Sequence, residues 1–157
     1  METGASEHQE KSTISSIDEN IKIVSTDQLR PHEEVDPERV EEVARCIQNI
    51  GLQYPVVADR KTNIILDGHH RYNAFRKMKI KDIPVYYIDY EDKQIIIDSW
   101  TGNKITKEDV IKKVDSGGLF PQKTTKHMLL TEKGLAHISI SLPRVNLKIE
   151  KLKARPI

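Results

Sequence analysis

The stretch Ile64–Phe75, IILDGHHRYNAF, limits the fold more than any other part of the chain. An apolar run of strand character stops at Asp67-Gly68, and a helix-forming segment begins near His70-Arg71. The spacing predicts a strand that turns directly into a helix over about Arg71 to Met78. Two histidines are costly to bury and unnecessary for a turn. They are either a solvated surface or a sign that something anionic sits there. Amide N–H groups at a helix start attract anions, and Gly68 lets a ligand approach the backbone. Arg71 in that first turn opposes the helix dipole, which makes sense if a phosphate lies between them.

The surrounding pattern predicts a mixed α/β or α+β domain with a small mixed sheet and flanking helices. IKIVST (21–26), YPVVADR, NIILDG, IPVYYIDY and KQIIIDSW read as strands. Asp36 followed by Pro37 fits a helix start, Val40, Val43, Ala44, Ile47 and Ile50 recur at helical spacing, and Gly51 ends the run. Cys46 lies beside that stripe and reads as a buried small hydrophobe. Thr106 with an acid at the third helical position opens a further helix in TKEDVIKKVDSGG, closed by the Gly pair. LFPQKTTKHML is expected to be a loop that can open a second short helix. HISISLPRVNLKIEKL alternates and suggests one or two edge strands, broken by Pro143. Residues 1–19 are polar and aperiodic and read as a flexible tail, leaving 20–157 as one domain.

Charge and cysteine content remove several functional classes. Lys plus Arg number 25 against 24 Asp plus Glu. Bulk charge therefore argues against a nucleic-acid or membrane coat, although a local basic cluster can still bind phosphate. No apolar run approaches the roughly 20 residues that span a bilayer. The first residues, METGASEHQEKSTISS, lack the apolar core of a secretory signal. The single cysteine excludes an intramolecular disulfide and paired-cysteine metal sites. These features place the chain in the cytoplasm.

Two further segments carry polar chemistry. KTTKH, Lys123 to His127, gathers two hydroxyls, two cations and an imidazole in five residues. Such groups bind phosphate or a small polar ligand, or else Thr124 or Thr125 merely caps a helix among solvated lysines. In RPHEEV, a glutamate held on a loop can act as a general base, or is an ordinary acid ahead of a helix. Trp100, the sole tryptophan, is core or ligand platform.

Together these pieces match a family pattern. LDGHHRYNAF resembles the Asp-Gly-His-His-Arg motif of the ParB/sulfiredoxin superfamily, and within it the archaeal free-serine kinases, which convert L-serine to O-phospho-L-serine. LRPHEEV is similar to the family's Pro-His-Glu segment. Trp100 lies 33 residues after Asp67, as the family's tryptophan does. TKEDVIKKVDSGGLFPQKTTKHML resembles the family's closing stretch, and the likeness covers most of residues 21–130. Two departures stand out. Only TGNKI, Thr101 to Ile105, occupies the place where family members carry an inserted domain, so the chain resembles a minimal version. Lys126 stands where the family has arginine, which keeps the charge but loses the bidentate fork.

The resemblance implies a nucleotide-dependent kinase for free L-serine, with ATP or ADP as donor and Mg²⁺ as cofactor. It implies Glu33 as catalytic base and Asp67 as the second essential acid and partner of Mg²⁺. It implies that Gly68, His69, His70, Arg71 and Thr124 hold the nucleotide, and that Trp100, Thr125, Lys126 and His127 close around serine. Neither the choice of donor nor an oligomeric state follows from it. A ParB-like nuclease or nucleotide hydrolase and a non-catalytic nucleotide-binding regulator stay open as alternatives. Sulfiredoxin chemistry does not, because His69 occupies the place of that family's reactive cysteine. A DNA-binding ParB needs a downstream helix-turn-helix domain, for which the remaining chain has no room.

Overall fold

The strand-to-helix junction is present and sets the architecture of the computed structural model, which describes residues 20–100, 102 and 104–153. The tail expected over 1–19 lies outside the described residues. In chain order the strands are β1 (Ile21–Ser25), β2 (Val56–Asp59), β3 (Ile65–Asp67), β4 (Asp82–Ile88), β5 (Ile95–Asp98), β6 (Lys126–Thr131) and β7 (Gly134–His137). The α-helices are α1 (Pro37–Ile50), α2 (His69–Lys77), α3 (Lys107–Asp115) and α4 (Ile149–Lys153). The fold is thus the mixed α+β type expected, with two small sheets in place of one.

The first sheet runs β1-β4-β2-β3 and is mixed. β1 and β4 are antiparallel, β2 and β4 parallel, and β2 and β3 antiparallel. The parallel pair requires a crossover, which α2 supplies. The second sheet, β5-β6-β7, is an antiparallel meander. Successive residues of a strand face opposite ways. Val56, Ala58 and Ile65 therefore pack with α1 and α2 in one core. Val57, Ile64 and Leu66 pack with Ile95 of β5 and Val110 of α3 in the other.

Local chemistry explains the helices. The Asp36 side chain accepts from Glu38 N at 3.0 Å, with Pro37 at the first helical position. Val40, Ala44 and Ile47 are buried, and Gly51 ends the helix at φ 86°. A Cβ there would lie 2.8 Å from the Leu147 carbonyl oxygen, so glycine is required by both backbone and space. Thr106 and Asp109 form a reciprocal capping box on α3.

Four expectations need correcting. α2 begins at His69, so both histidines belong to its first turn. Cys46 is exposed. At about 100° per residue it lies roughly 125° around α1 from the centre of the Val40–Ala44–Ile47 stripe. The segment that was to open a short helix is β6, which pairs with β5 along Ile95–Asp98. The alternating C-terminal run is half helical: a 3-10 turn over Ile138–Ser141, then α4. The His137 side chain accepts from Ser139 N and diverts the backbone from a strand ladder. Ile149 and Leu152, one turn apart, are buried in the first core. Of the expected edge pairing there remain His137, which ends β7 opposite Met128, and one short antiparallel bridge, Leu52 with Leu147. Among the described residues no helix is long and apolar enough to cross a membrane.

Candidate functional site

A polar, half-open cleft lies where the end of β3, the start of α2 and the start of β6 meet. Glu33, Asp67, Gly68, His69, His70, Arg71, Trp100, Thr125, Lys126 and His127 all line it. These residues come from four separated segments, Glu33, 67–71, Trp100 and 125–127, and the backbone shows how the first, second and last meet. Arg30 bridges to Ile64 beside β3, and Glu33 bridges to Phe120 ahead of β6. Phe120 N donates to the His32 carbonyl and Glu34 N to the Phe120 carbonyl, both at 2.8 Å. The Pro-His-Glu segment thus ties the first sheet to the segment that feeds the second.

Histidines complete that tie. His69 Nε2 accepts from His32 N at 3.1 Å, and His70 Nε2 accepts from Asp36 N at 3.3 Å. An N–H donor needs an unprotonated ring nitrogen, so in both neutral rings the proton sits on Nδ1. Burial pushes the His69 pKa well below normal, reinforced by His32, and burial also lowers that of His70. The two histidines are therefore neutral anchors of the loop. Of the two alternatives open for these histidines, the solvated surface is removed for His69, which is buried.

Glu33 is held by three donors. Oε1 accepts from Lys123 N at 3.1 Å, and Oε2 accepts from Thr125 N and Thr125 Oγ1, each at 2.9 Å. Thr125 Oγ1 is also 2.9 Å from His32 Nε2. Since the carboxylate can only accept, the threonine hydroxyl donates to Glu33 and accepts from His32 Nε2–H. Oε1 accepts only one of these bonds, so it keeps acceptor capacity on a residue that lines the cleft. Lys123 adopts φ 65°, a left-handed turn that non-glycine residues rarely adopt.

Behind this contact lies a buried histidine cluster. The His32 ring is 4.6 Å from His69 and 5.7 Å from His127, centroid to centroid, at steep interplanar angles. Burial lowers the His32 pKa to about 4, with partial relief from the Ile65 carbonyl, which does not reach hydrogen-bond geometry with Nδ1. His127 falls to about 3, through burial and then the field of His32. Its Nε2 is 2.8 Å from the Tyr90 hydroxyl. His127 is therefore uncharged and does not serve as a cation for a carboxylate.

Asp67 and Arg71 form a pair at 3.1 Å. The Arg71 guanidinium also donates to the carbonyls of Tyr54 at 3.1 Å and Pro55 at 2.6 Å. Arg71, which opposes the helix dipole, thus has partners within the chain: it braces Asp67 and the segment before β2. Gly68 adopts φ 100°, and a Cβ there would lie 3.2 Å from Val56 Cγ2. Thr124 is placed differently from expectation. It is buried and does not line the cleft, because its hydroxyl donates to the Pro121 carbonyl at 2.5 Å and closes the turn.

Trp100 is 59% exposed, which removes the core alternative, and Lys126 Nζ lies 4.2 Å from its ring centroid. Among the described residues no group of three His, Cys, Asp or Glu is arranged to hold a metal ion. Mg²⁺ often binds through one or two carboxylates plus substrate phosphates, and Asp67 fits that mode. Sequence reasoning missed His32, Arg39 and His137. Arg39 and His137 line the cleft but sit in no motif, and the role of His32 depends on burial that spacing does not reveal.

A model of the ParB N-terminal domain matches residues 4–103. A ParB-like protein of Sulfolobus acidocaldarius is 37% identical over 86 residues, which are 55% of this chain and 42% of that protein. An ATP-dependent L-serine kinase of Staphylothermus marinus is 30% identical over 83 residues, 50% of this chain and 33% of that protein. The chain spans less than half the length of these curated relatives. Among solved structures, a free serine kinase in complex with AMP superposes with a TM-score of 0.72 at 14% identity, covering 85% of this chain and 93% of that one. At that identity the likeness is one of fold, and the fold here is the ParB/sulfiredoxin-like one.

Proposed function

The chain belongs to the ParB N-terminal domain family, and from that premise we propose that its cleft binds an adenine nucleotide, ATP or ADP, and transfers the terminal phosphoryl group to free L-serine. One observation carries the reading. Glu33 is oriented by three hydrogen bonds and shares a cleft with Asp67 and the left-handed Gly68 turn. A general base, an acid suited to a phosphate-bound cation and a helix start open to phosphate are the parts this transfer requires. The distant likeness to serine kinases agrees with it.

In this mechanism the serine hydroxyl lies against the free lone pair of Glu33 Oε1. As its oxygen bonds to the terminal phosphorus, the bond from phosphorus to the nucleotide's bridging oxygen breaks and the hydroxyl proton passes to Glu33. Mg²⁺, when bound, neutralises charge on the phosphates. Gly68 allows the phosphate chain to approach the backbone. Arg71 acts by bracing Asp67. In this reading Lys126 is the cation that meets the serine carboxylate, and Trp100, over which its ammonium lies, forms the rim. His127 shapes the pocket as a neutral ring.

The test is incubation with L-serine, Mg²⁺ and ATP or ADP, with phosphoserine detected directly. Phosphoserine from the free amino acid, and none on a serine within a peptide, is expected. DNA cleavage or nucleotide hydrolysis without phosphoserine would overturn the reading in favour of a nuclease or hydrolase. Nucleotide binding with no turnover would favour a regulator.

A further inference from the structure

We propose that His137 is a phosphate-contacting residue of the cleft, its Nε2–H donating to an oxygen of the nucleotide's phosphate chain beside Asp67. The inference rests on the nucleotide half of the function proposed above. His137 ends β7, outside residues 4–103, and no motif marks it.

The backbone determines what this ring can do. Ser139 N donates to His137 Nδ1 at 3.1 Å, and the Ser139 hydroxyl lies 2.8 Å from the same nitrogen. A nitrogen that accepts an N–H carries no proton, so the proton of the neutral ring is on Nε2. Nε2 lies 3.8 Å from Asp67 Oδ1, beyond hydrogen-bond range. Among the described residues no acceptor satisfies it, and both side chains line the cleft.

Two ligand classes are available to a histidine facing an aspartate. A metal ion requires a lone pair on the nitrogen that faces it, and here that nitrogen bears the proton. An anionic oxygen requires a donor, which is what Nε2–H offers. Asp67 would repel such an oxygen if its charge were uncompensated. The Arg71 guanidinium, 3.1 Å from Oδ2, compensates it. The first sheet thus supplies the helix-start turn, and the second sheet supplies a donor from the opposite wall.

The experiment compares the full chain with His137→Asn. Asparagine can still accept from Ser139 N through its side-chain oxygen, as a good capping residue, but does not carry a donor to the Nε2 position. ADP affinity is measured by calorimetry beside the thermal midpoint. Ring nitrogen resonances of the unsubstituted protein are followed during ADP addition. Affinity should fall tenfold or more in His137→Asn with the midpoint retained, the scale of one hydrogen bond to a charged group. The His137 Nε2 resonance should shift while the Nδ1 resonance stays. Equal ADP affinity with an unmoved Nε2 resonance overturns the assignment and leaves the kinase reading standing. ADP binding through His137 with no phosphoserine formed keeps the assignment and overturns serine as acceptor. Failure of the unsubstituted chain to bind ADP overturns both.

Discussion

The two sheets are built to different standards, and the cleft lies between them. The first sheet is closed on one face by α1 and α2, with Val56, Ala58, Ile65, Phe75 and Val85 inaccessible to solvent. The second is a three-stranded meander whose β6–β7 hairpin exposes Leu130 (44%) and Leu135 (54%), a directly paired set. Fewer buried contacts mean lower local stability. The wall that presents the β3–α2 turn is therefore the stiff one, and the wall carrying Thr125, Lys126 and His137 is the softer. They are joined through the Pro-His-Glu segment and its histidines. A site that must hold a phosphate chain and admit a second, small substrate gains from that division, because one wall can yield while the other keeps its geometry.

The largest effect should come from cutting the joint at Glu33. Glu33→Ala removes the acceptor for Lys123 N, Thr125 N and Thr125 Oγ1 together with the base. Turnover to phosphoserine should fall about 10³-fold, within the range of a lost base and lost positioning. Nucleotide affinity should stay within a few-fold, because Glu33 bonds Lys123 and Thr125 and touches neither the Gly68 turn nor His137. Amide exchange should accelerate at residues 123–127 and stay unchanged in β2 and β4. Equal acceleration in both sheets would show that the two walls are one cooperative unit.

Acid should come next. His32 and His127 have folded pKa values of about 4 and about 3, against 6.5 for an unburied histidine. Above pH 6.5 neither folded nor unfolded chain binds these protons. Below it the unfolded chain takes them up and the folded chain does not, so stability is lost as pH falls through 6.5 towards 4, and for His127 towards 3. His32 alone contributes on the order of 3 kcal/mol to this loss. Urea midpoints across that window should decline, and exchange in β6 and β7 should rise before exchange in β2 and β4. A flat stability profile from pH 7 to pH 4 would contradict the burial of these rings.

Arg71→Ala should cost less, about 2 kcal/mol of stability, because it leaves the Tyr54 and Pro55 carbonyls and Asp67 without their shared donor. Nucleotide affinity should weaken through Asp67, which loses its brace. A variant with wild-type thermal midpoint and abolished nucleotide binding would instead make Arg71 a direct phosphate ligand. The smallest effect belongs to the exposed hairpin pair. Leu130→Thr should change stability by no more than about 0.5 kcal/mol, and turnover should not change. A large stability loss there would mean that the second sheet is better supported than its exposed leucines indicate.

Much of the first sheet was legible in the chain. Asp36-Pro37, the 40–47 stripe and Gly51 identify α1 because caps and periodicity are local signals. The Thr106–Asp109 box does the same for α3. The second sheet was less legible, and its failures share a cause. Lys126–Thr131 reads as a loop or helix opening from its polar start, and becomes a strand because β5 is there to pair with it. The His-Ile-Ser-Ile-Ser alternation reads as a strand, and becomes a 3-10 turn because His137 captures Ser139 N.

By itself the sequence determined which residue types are available and where the backbone must turn. Asp67-Gly68 marks the end of a strand and the start of a helix by local chemistry, and glycine adopts the φ of 100° found there without the strain a side chain would bring. Only the tertiary structure decided what the polar groups do. It made two histidines of undecided role into neutral anchors, gave Arg71 to Asp67 and two carbonyls, closed Thr124 onto its own turn and brought His137 to the cleft from a segment distant in the chain. The reason is physical. Caps and turns are satisfied by neighbours in sequence. The charge state, tautomer and free valence of a buried side chain depend on which backbone amides and carbonyls the packing places against it.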